Sequence, residues 1–329
     1  MQVPATSANL GPGFDSLGLA LSWYDVVQAE VTGSGLRIEV TGFGEQTAGY
    51  GEDHLVMRAM RAAFERLGEQ PPGIWLRCVN AIPQGFGLGS SAAAIVAGVL
   101  AARALCGDEG QRRLPDGDVL QLAAELEGHA DNVAACQAGG LTIAWAGGAA
   151  STSGGSGTGA AAGGASGEPG ARVGPVRCAR LEPLPDLTPV LCRPAVPLAT
   201  IAARQVLPAT VPHADAARNA ARTALLIAAL TQPGLATDAA TLVDATQDFL
   251  HQPYRASSMP ESACLLAVLR GAGIPAVVSG AGPAVLGLVV PGVTPGPEAV
   301  GAIAAESGAS WVVSELEVDR TGAIARAAR

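Results

Sequence analysis

Apolar residues alternate with polar ones in several short stretches of the chain and recur at helical spacing in others. The two periods predict most of the elements. Residues 74–82 (Ile-Trp-Leu-Arg-Cys-Val-Asn-Ala-Ile) alternate and predict a strand, while residues 92–105 are rich in Ala, Val and Leu, broken only by Gly98, and predict a buried helix. Residues 21–41 alternate around Thr32-Gly33-Ser34-Gly35 and predict a hairpin. Leu55, Val56, Ala59, Met60, Ala63, Phe64 and Leu67 predict a helix over 53–67, capped by Glu52 or Asp53. A polar connector over 107–118 precedes a short helix over 119–128. Further on, strands are expected near 176–181, 187–193 and 310–318, and helices over 215–230, 241–249 and 298–307. Residues 3–15 combine small polar residues with Gly11-Pro12-Gly13 and predict neither a helix nor a paired strand.

Between the strand at 74–82 and the helix that follows lies Pro83-Gln84-Gly85-Phe86-Gly87-Leu88-Gly89-Ser90-Ser91-Ala92-Ala93. Three glycines at alternate positions let several N–H groups point into one concavity, and two serines stand where a helix N-cap belongs. The helix N-terminus adds about half a positive charge and unpaired donors. This is the design of a phosphate cradle. A P-loop needs a lysine after its last glycine, and the chain has no lysine: its twenty basic residues are all arginine. Gly87-Leu88-Gly89-Ser90-Ser91-Ala92 also satisfies the dinucleotide pattern G-x-G-x-x-A, but Asp108 and Glu109 do not follow a second strand as that pattern requires. A bare strand-to-helix turn would need only one glycine.

Composition narrows the class. With 329 residues there is core enough for two domains. A net charge of −9 offers no basic stripe, which argues against a nucleic-acid partner. Cysteines 78, 106, 136, 178, 192 and 264 form no C-x-x-C, so reduced thiols in a cytoplasmic protein are expected. Residues 271–297 carry no charge but include five prolines, which fits strand, glycine loop, strand rather than a membrane span. Met1-Gln2-Val3-Pro4 opens neither a basic n-region nor an apolar h-region, so no signal peptide is expected. Residues 147–174 are almost entirely Gly, Ala, Ser and Thr; a flexible insertion is expected there, marking a domain boundary, and its deletion is expected to be tolerated.

The loop over 83–94 resembles the nucleotide-phosphate motif of the GHMP small-molecule kinases. Val3-Pro4-Ala5-Thr6-Ser7-Ala8-Asn9-Leu10-Gly11-Pro12-Gly13-Phe14-Asp15 resembles the first motif of the homoserine kinases within that family, and Glu125-Leu126-Glu127-Gly128-His129-Ala130-Asp131-Asn132-Val133-Ala134-Ala135 resembles a second segment, with Ala135 where proline is usual. Thr200-Ile201-Ala202-Ala203-Arg204, with Leu207-Pro208, and His251-Gln252-Pro253-Tyr254-Arg255 resemble two more, and Ser279-Gly280-Ala281-Gly282 resembles the family's third glycine loop. Related sequences carry a few more residues in the first strand, so a truncated start or a misassigned start codon is expected.

The resemblance implies an α+β fold. Its N-terminal domain, of the ribosomal S5 domain-2 type, would span 1–146, and a ferredoxin-like C-terminal domain 175–329. It implies ATP bound by residues 83–93 and 279–282, with Mg²⁺ at Ser91 and Glu127. Homoserine would be bound by Asn9, Asp15, His129, Asn132, Thr200, Arg204 and Arg255, with Asp15, Asn132 and Arg204 in the catalytic roles. Two arginines suit a carboxylate, which a planar guanidinium pairs bidentately. His54 is expected to be structural, or adenine-side at most. The reaction implied is phosphorylation of the L-homoserine hydroxyl in threonine biosynthesis. A kinase for another small alcohol, such as mevalonate or a sugar, and an inactive nucleotide-binding regulator are the alternatives. Such proteins are often homodimers, although the chain shows no interface signature.

Overall fold

The computed structural model describes residues 1–147, 174–198, 205–235 and 238–326. A mixed sheet forms from β1 (Gln2–Ala8), β2 (Leu17–Thr32), β3 (Gly35–Gly42), β4 (Gly73–Asn80), β5 (Leu141–Ala146) and β6 (Val176–Leu181). Its order is β3-β4-β2-β5-β6, with β1 paired to β2. Four helices line its core: α1 (Leu55–Leu67), α2 (Ser90–Leu105), α4 (Asp116–Glu127) and α5 (Asp131–Ala138), with the short α3 (Gly107–Arg113) between α2 and α4. Connector 107–118 is therefore largely helical.

Residues 3–8 are a paired strand, contrary to the sequence expectation: Gln2–Ala8 runs antiparallel to β2, with a register shift between Pro4 and Ala5. Small polar residues suit this strand because Thr6 and Ser7 are fully buried and bonded on both sides. The expected hairpin over 21–41 does not form either. β4 pairs antiparallel with β2 and parallel with β3, so it separates the two. A parallel pair needs a crossover, and α1 supplies it. The helix starts at Leu55 with His54 in the cap position and no side-chain cap, rather than on Glu52 or Asp53.

A second sheet has the order β10-β7-β9-β8, all antiparallel, from β7 (Thr188–Pro194), β8 (Ala276–Val278), β9 (Val285–Val289) and β10 (Trp311–Glu315). Helices α6 (His213–Thr231), α7 (Ala239–Ala245), α8 (Gln252–Arg255) and α9 (Pro260–Gly271) intervene before β8, and α10 (Pro297–Glu306) before β10. With its strands numbered in turn the sheet reads 4-1-3-2, the β-α-β-β-α-β arrangement of a ferredoxin-like unit. The predicted helix over 241–249 stops at Ala245. The expected break at 147–174 falls between β5 and β6, neighbouring strands of one sheet. The change of sheet comes after Leu181, and residues near the C-terminus return to the first sheet through Val318 and Ile324.

α1 and α2 approach closely at Gly98, where an added Cβ would lie 2.5 Å from the Val56 carbonyl oxygen. Gly98→Val should force the helices apart and cost about 1–3 kcal/mol, the usual penalty of overpacking. Urea denaturation monitored by circular dichroism measures it.

Candidate active site

The glycine loop leaves β4 under the grip of a buried carboxylate. Asp25 accepts hydrogen bonds from the Ala81 and Ile82 amides at 2.7 and 2.8 Å. Burial pushes its pKa up to about 6 despite those two bonds. Beyond it Gly87 and Gly89 take φ of 74° and 66°, a region that favours glycine. Space forbids a side chain as well. A Cβ on Gly87 would stand 1.9 Å from the Ser279 carbonyl oxygen, and one on Gly89 2.0 Å from Thr6 Oγ1.

Gly89, not a serine, occupies the cap position of α2, and Ser90 and Ser91 are its first two residues. A left-handed glycine ends the loop without a side-chain cap, which releases the serine hydroxyls. Ser91 Oγ donates to Glu127 Oε1 at 2.6 Å. Glu127 is the last residue of α4, so the two side chains assigned to the metal meet although 36 residues separate them. An all-oxygen pair beside a phosphate loop fits Mg²⁺, which keeps several waters and takes one or two protein oxygens together with substrate phosphates.

The loop after β8 closes on the first. Ser279 Oγ lies 2.7 Å from the Gly87 carbonyl and 2.9 Å from Ser7 Oγ, and Gly280 N donates to Ala8 O at 3.1 Å. Gly280 O in turn accepts from Asn9 Nδ2 at 2.8 Å and Arg255 Nη1 at 3.3 Å. Asn9 and Asp15 both have positive φ, and Asn9 Oδ1 accepts from the Asp15 amide at 2.9 Å. Asn and Asp tolerate that conformation better than other side chains.

Arg255 is 1% exposed and belongs to a relay. Its Nη1 donates to His251 Nδ1 at 3.0 Å, and His251 Nε2 donates to Gly11 O at 2.8 Å. Phe14 lies stacked on His251 at 5.2 Å and under the Arg255 guanidinium at 5.6 Å. Burial, aided by Arg255 and opposed by Asp248, lowers the His251 pKa to about 4, so the ring is neutral as the relay requires. On the opposite side, buried Asp131 Oδ1 lies 3.1 Å from His129 Nδ1 and accepts from Asn132 N at 2.8 Å. Asn132 Oδ1 accepts from Thr6 Oγ1 at 2.7 Å, which fixes which way the amide faces.

A cleft of about 260 Å³ collects Asn9, Asp15, Glu127, His129, Asn132 and Arg255 with Gly85, residues 87–91 and residues 280–281. A second cavity of about 370 Å³, sharing Ser90 and Ser91, is lined by Tyr50, His54, Asn80, Gln84 and Ala93. His54 is buried and its Nδ1 has no partner. Pro83, Phe86, Ala92, Ser279 and Gly282 line neither space; Phe86 is buried beneath the Arg193 guanidinium, and Ser279 and Gly282 shape the loops from behind. Thr200 and Arg204 lie outside the described residues, as does most of 147–174. Sequence reasoning passed over Thr6, Phe14, Asp131 and His251 as site residues. Each stands inside a motif already singled out, and a threonine or aspartate beside a site asparagine is the signal that was there to be used.

Two family models match the chain, the N-terminal domain of GHMP kinases over residues 54–140 and the GHMP kinase C-terminal domain over 226–311. The chain belongs to the GHMP kinases. Within that family its relatives include the homoserine kinases of Streptomyces coelicolor and Streptomyces avermitilis, each 46% identical over 98% of this chain and over 93% and 94% of their own. The crystal structure of homoserine kinase from Cytophaga hutchinsonii is 26% identical with a TM-score of 0.75, covering 98% of this chain and 95% of that one. The L. major mevalonate kinase, 13% identical with a TM-score of 0.62, covers 98% and 96% and shares the fold.

Gly87→Ala should part the two glycine loops, weakening ATP binding by calorimetry while far-ultraviolet circular dichroism stays unchanged. His251 makes a second prediction. The unfolded ring takes its proton near 6.5 and the folded one only near 4, so the unfolded state binds more protons between them. Its contribution to stability therefore falls as pH drops from about 6.5 towards 4. Asp25 acts oppositely, being raised from 3.8 to about 6. The difference between native and His251→Gln proteins in urea denaturation across this range isolates the histidine.

Proposed function

We propose that the chain transfers the γ-phosphoryl group of ATP to the hydroxyl of L-homoserine, giving ADP and O-phospho-L-homoserine. The observation that carries this reading is the single cleft in which Asn9, Asp15, Glu127, His129, Asn132 and Arg255 face Gly85 and residues 87–91. The names of the relatives point the same way.

The triphosphate lies against the N–H groups of the loop and the N-terminus of α2, which offset its charge. Its adenosine end extends into the neighbouring cavity, where neutral His54 offers an unpartnered Nδ1. Ser91 and Glu127 would hold Mg²⁺, which supplies charge neutralisation on the phosphate oxygens. Arg255, fixed by His251, Gly280 and Phe14, pairs with the substrate carboxylate, with Arg204 and Thr200 as further contacts from outside the described residues. Asn9, His129 and Asn132 line the amino acid. The substrate oxygen bonds to the γ-phosphorus as the bond to the β,γ-bridging oxygen breaks, ADP departs and the hydroxyl proton is lost to solvent. Asp15 orients the hydroxyl in line; such a reaction asks mainly for positioning and charge stabilisation.

In a coupled ADP assay over a panel of alcohols, L-homoserine should be turned over. Turnover of mevalonate or galactose without it would overturn the reading. Asp15→Asn should mainly impair use of the substrate; a kcat loss near ~10⁴-fold with unchanged homoserine binding would make Asp15 a base instead. Arg255→Lys should raise the KM for homoserine about 10- to 100-fold, the equivalent of 1.5–3 kcal/mol for a charge-assisted hydrogen bond.

A further inference from the structure

The turn carrying Arg255 has a second side. Residues 252, 253 and 256 line a separate cavity of about 220 Å³, while Arg255 lines the catalytic cleft, so the turn divides the two. Met259, Ala263, Leu266, Ala267 and Val278 give this cavity apolar walls, and Asp248, Gln252 and Arg270 supply its polar part. It is smaller than the roughly 300–1,000 Å³ of drug-sized sites, which suits a compact ligand.

Those three polar side chains have structural work that accounts for only some of their hydrogen-bonding groups. β8 is an edge strand, and side chains satisfy its outer edge. Gln252 Oε1 accepts from Val278 N at 2.7 Å, and Arg270 Nε donates to Ala276 O at 3.0 Å. Arg270 Nη2 also donates to Thr246 O. Asp248 is spent on the turn, accepting from the amides of Leu250, His251 and Gln252. Gln252 is 6% exposed and its Nε2 has no acceptor. Burial lowers the Arg270 pKa to about 10, with Asp248 only partly opposing it. A buried amide donor without an acceptor and a desolvated guanidinium that donates to two neutral carbonyls thus share an apolar cavity, and the hydrogen bonds of Asp248, the carboxylate beside them, go to the turn.

We propose that this cavity binds a small aliphatic carboxylate, with its oxygens on Gln252 Nε2 and the Arg270 guanidinium and its alkyl chain against Met259, Leu266 and Val278. Gln252 fixes the orientation of the head group because its oxygen is already committed to Val278. A carboxylate offers acceptors to both donors at once, and a larger anion would exceed the space. The site is independent of which alcohol the catalytic cleft phosphorylates.

Sodium 3-methylbutanoate titrated into the full chain, with sodium chloride at matched ionic strength as control, tests this by thermal melting. A saturable rise in Tm beyond the salt control is expected. Gln252→Glu keeps the acceptor for Val278 but replaces the unpaired donor with an anion beside Arg270, and should abolish the rise. Ala263→Met fills the cavity without removing a side-chain hydrogen bond and should weaken the apparent affinity about tenfold, or ~1.4 kcal/mol. Ala267→Met serves the same purpose if that variant melts too early to titrate. A rise no greater than the salt control, one retained in the charge variant, or one of undiminished apparent affinity in the filled variant overturns the proposal.

Discussion

Two glycine loops from opposite ends of the chain close on one another at a single point, Gly87 against the Ser279 carbonyl. With no Cβ at Gly87, the Ser279 main chain sits where a side chain would be, and its hydroxyl reaches Gly87 O. Single hydrogen bonds of this kind contribute only about 1 kcal/mol net. Their weight here is geometric: each loop fixes the position of the other, and the first motif is tied to both through Ser7, Ala8 and Asn9. Gly280 O then becomes the shared acceptor that holds Asn9 and Arg255 in register. Without that closure residues 85–91 and the first motif with Arg255 would belong to two separate surfaces.

The electrostatics follow from a chain that is acidic overall and lacks lysine. Its cationic side chains are arginine alone, and backbone amides are among its other donors for an anion. Burying Arg255 requires partners that leave its charge intact. A neutral histidine accepting through Nδ1, a carbonyl and an aromatic face are among those partners. Asp25 solves the converse problem, a buried carboxylate held by two amides at the point where the phosphate loop begins.

The segment from Asp248 to Arg270 serves two spaces at once. Its turn presents Arg255 to the cleft and Gln252 to the cavity behind, and Asp248 ties the turn together by three backbone amides. A short, tightly bonded turn is stiff enough to carry both roles.

Local chemistry wrote much of this into the sequence. Alternating apolar residues gave β4, β6 and β7, and helical spacing gave α1, α2 and α6. The glycine spacing with paired serines predicted the turn into α2, and the resemblance of the first motif pointed to Asn9 and Asp15, which line the same cleft. What the sequence could not determine was which strands would be neighbours. β2 and β3 read as a hairpin because they are adjacent in the chain, yet β4 enters between them, a choice made by long-range pairing and helix packing. Residues 3–15 read as irregular because small polar residues pattern that way, and only burial between β2 and the loop at Leu88 makes the part up to Ala8 a strand. Ser91 meets Glu127, and Ser279 meets Gly87, across separations that no local pattern encodes. Periodicity and turn chemistry act over a few residues and are legible in sequence; the closure of the site depends on contacts that exist only once both sheets have formed.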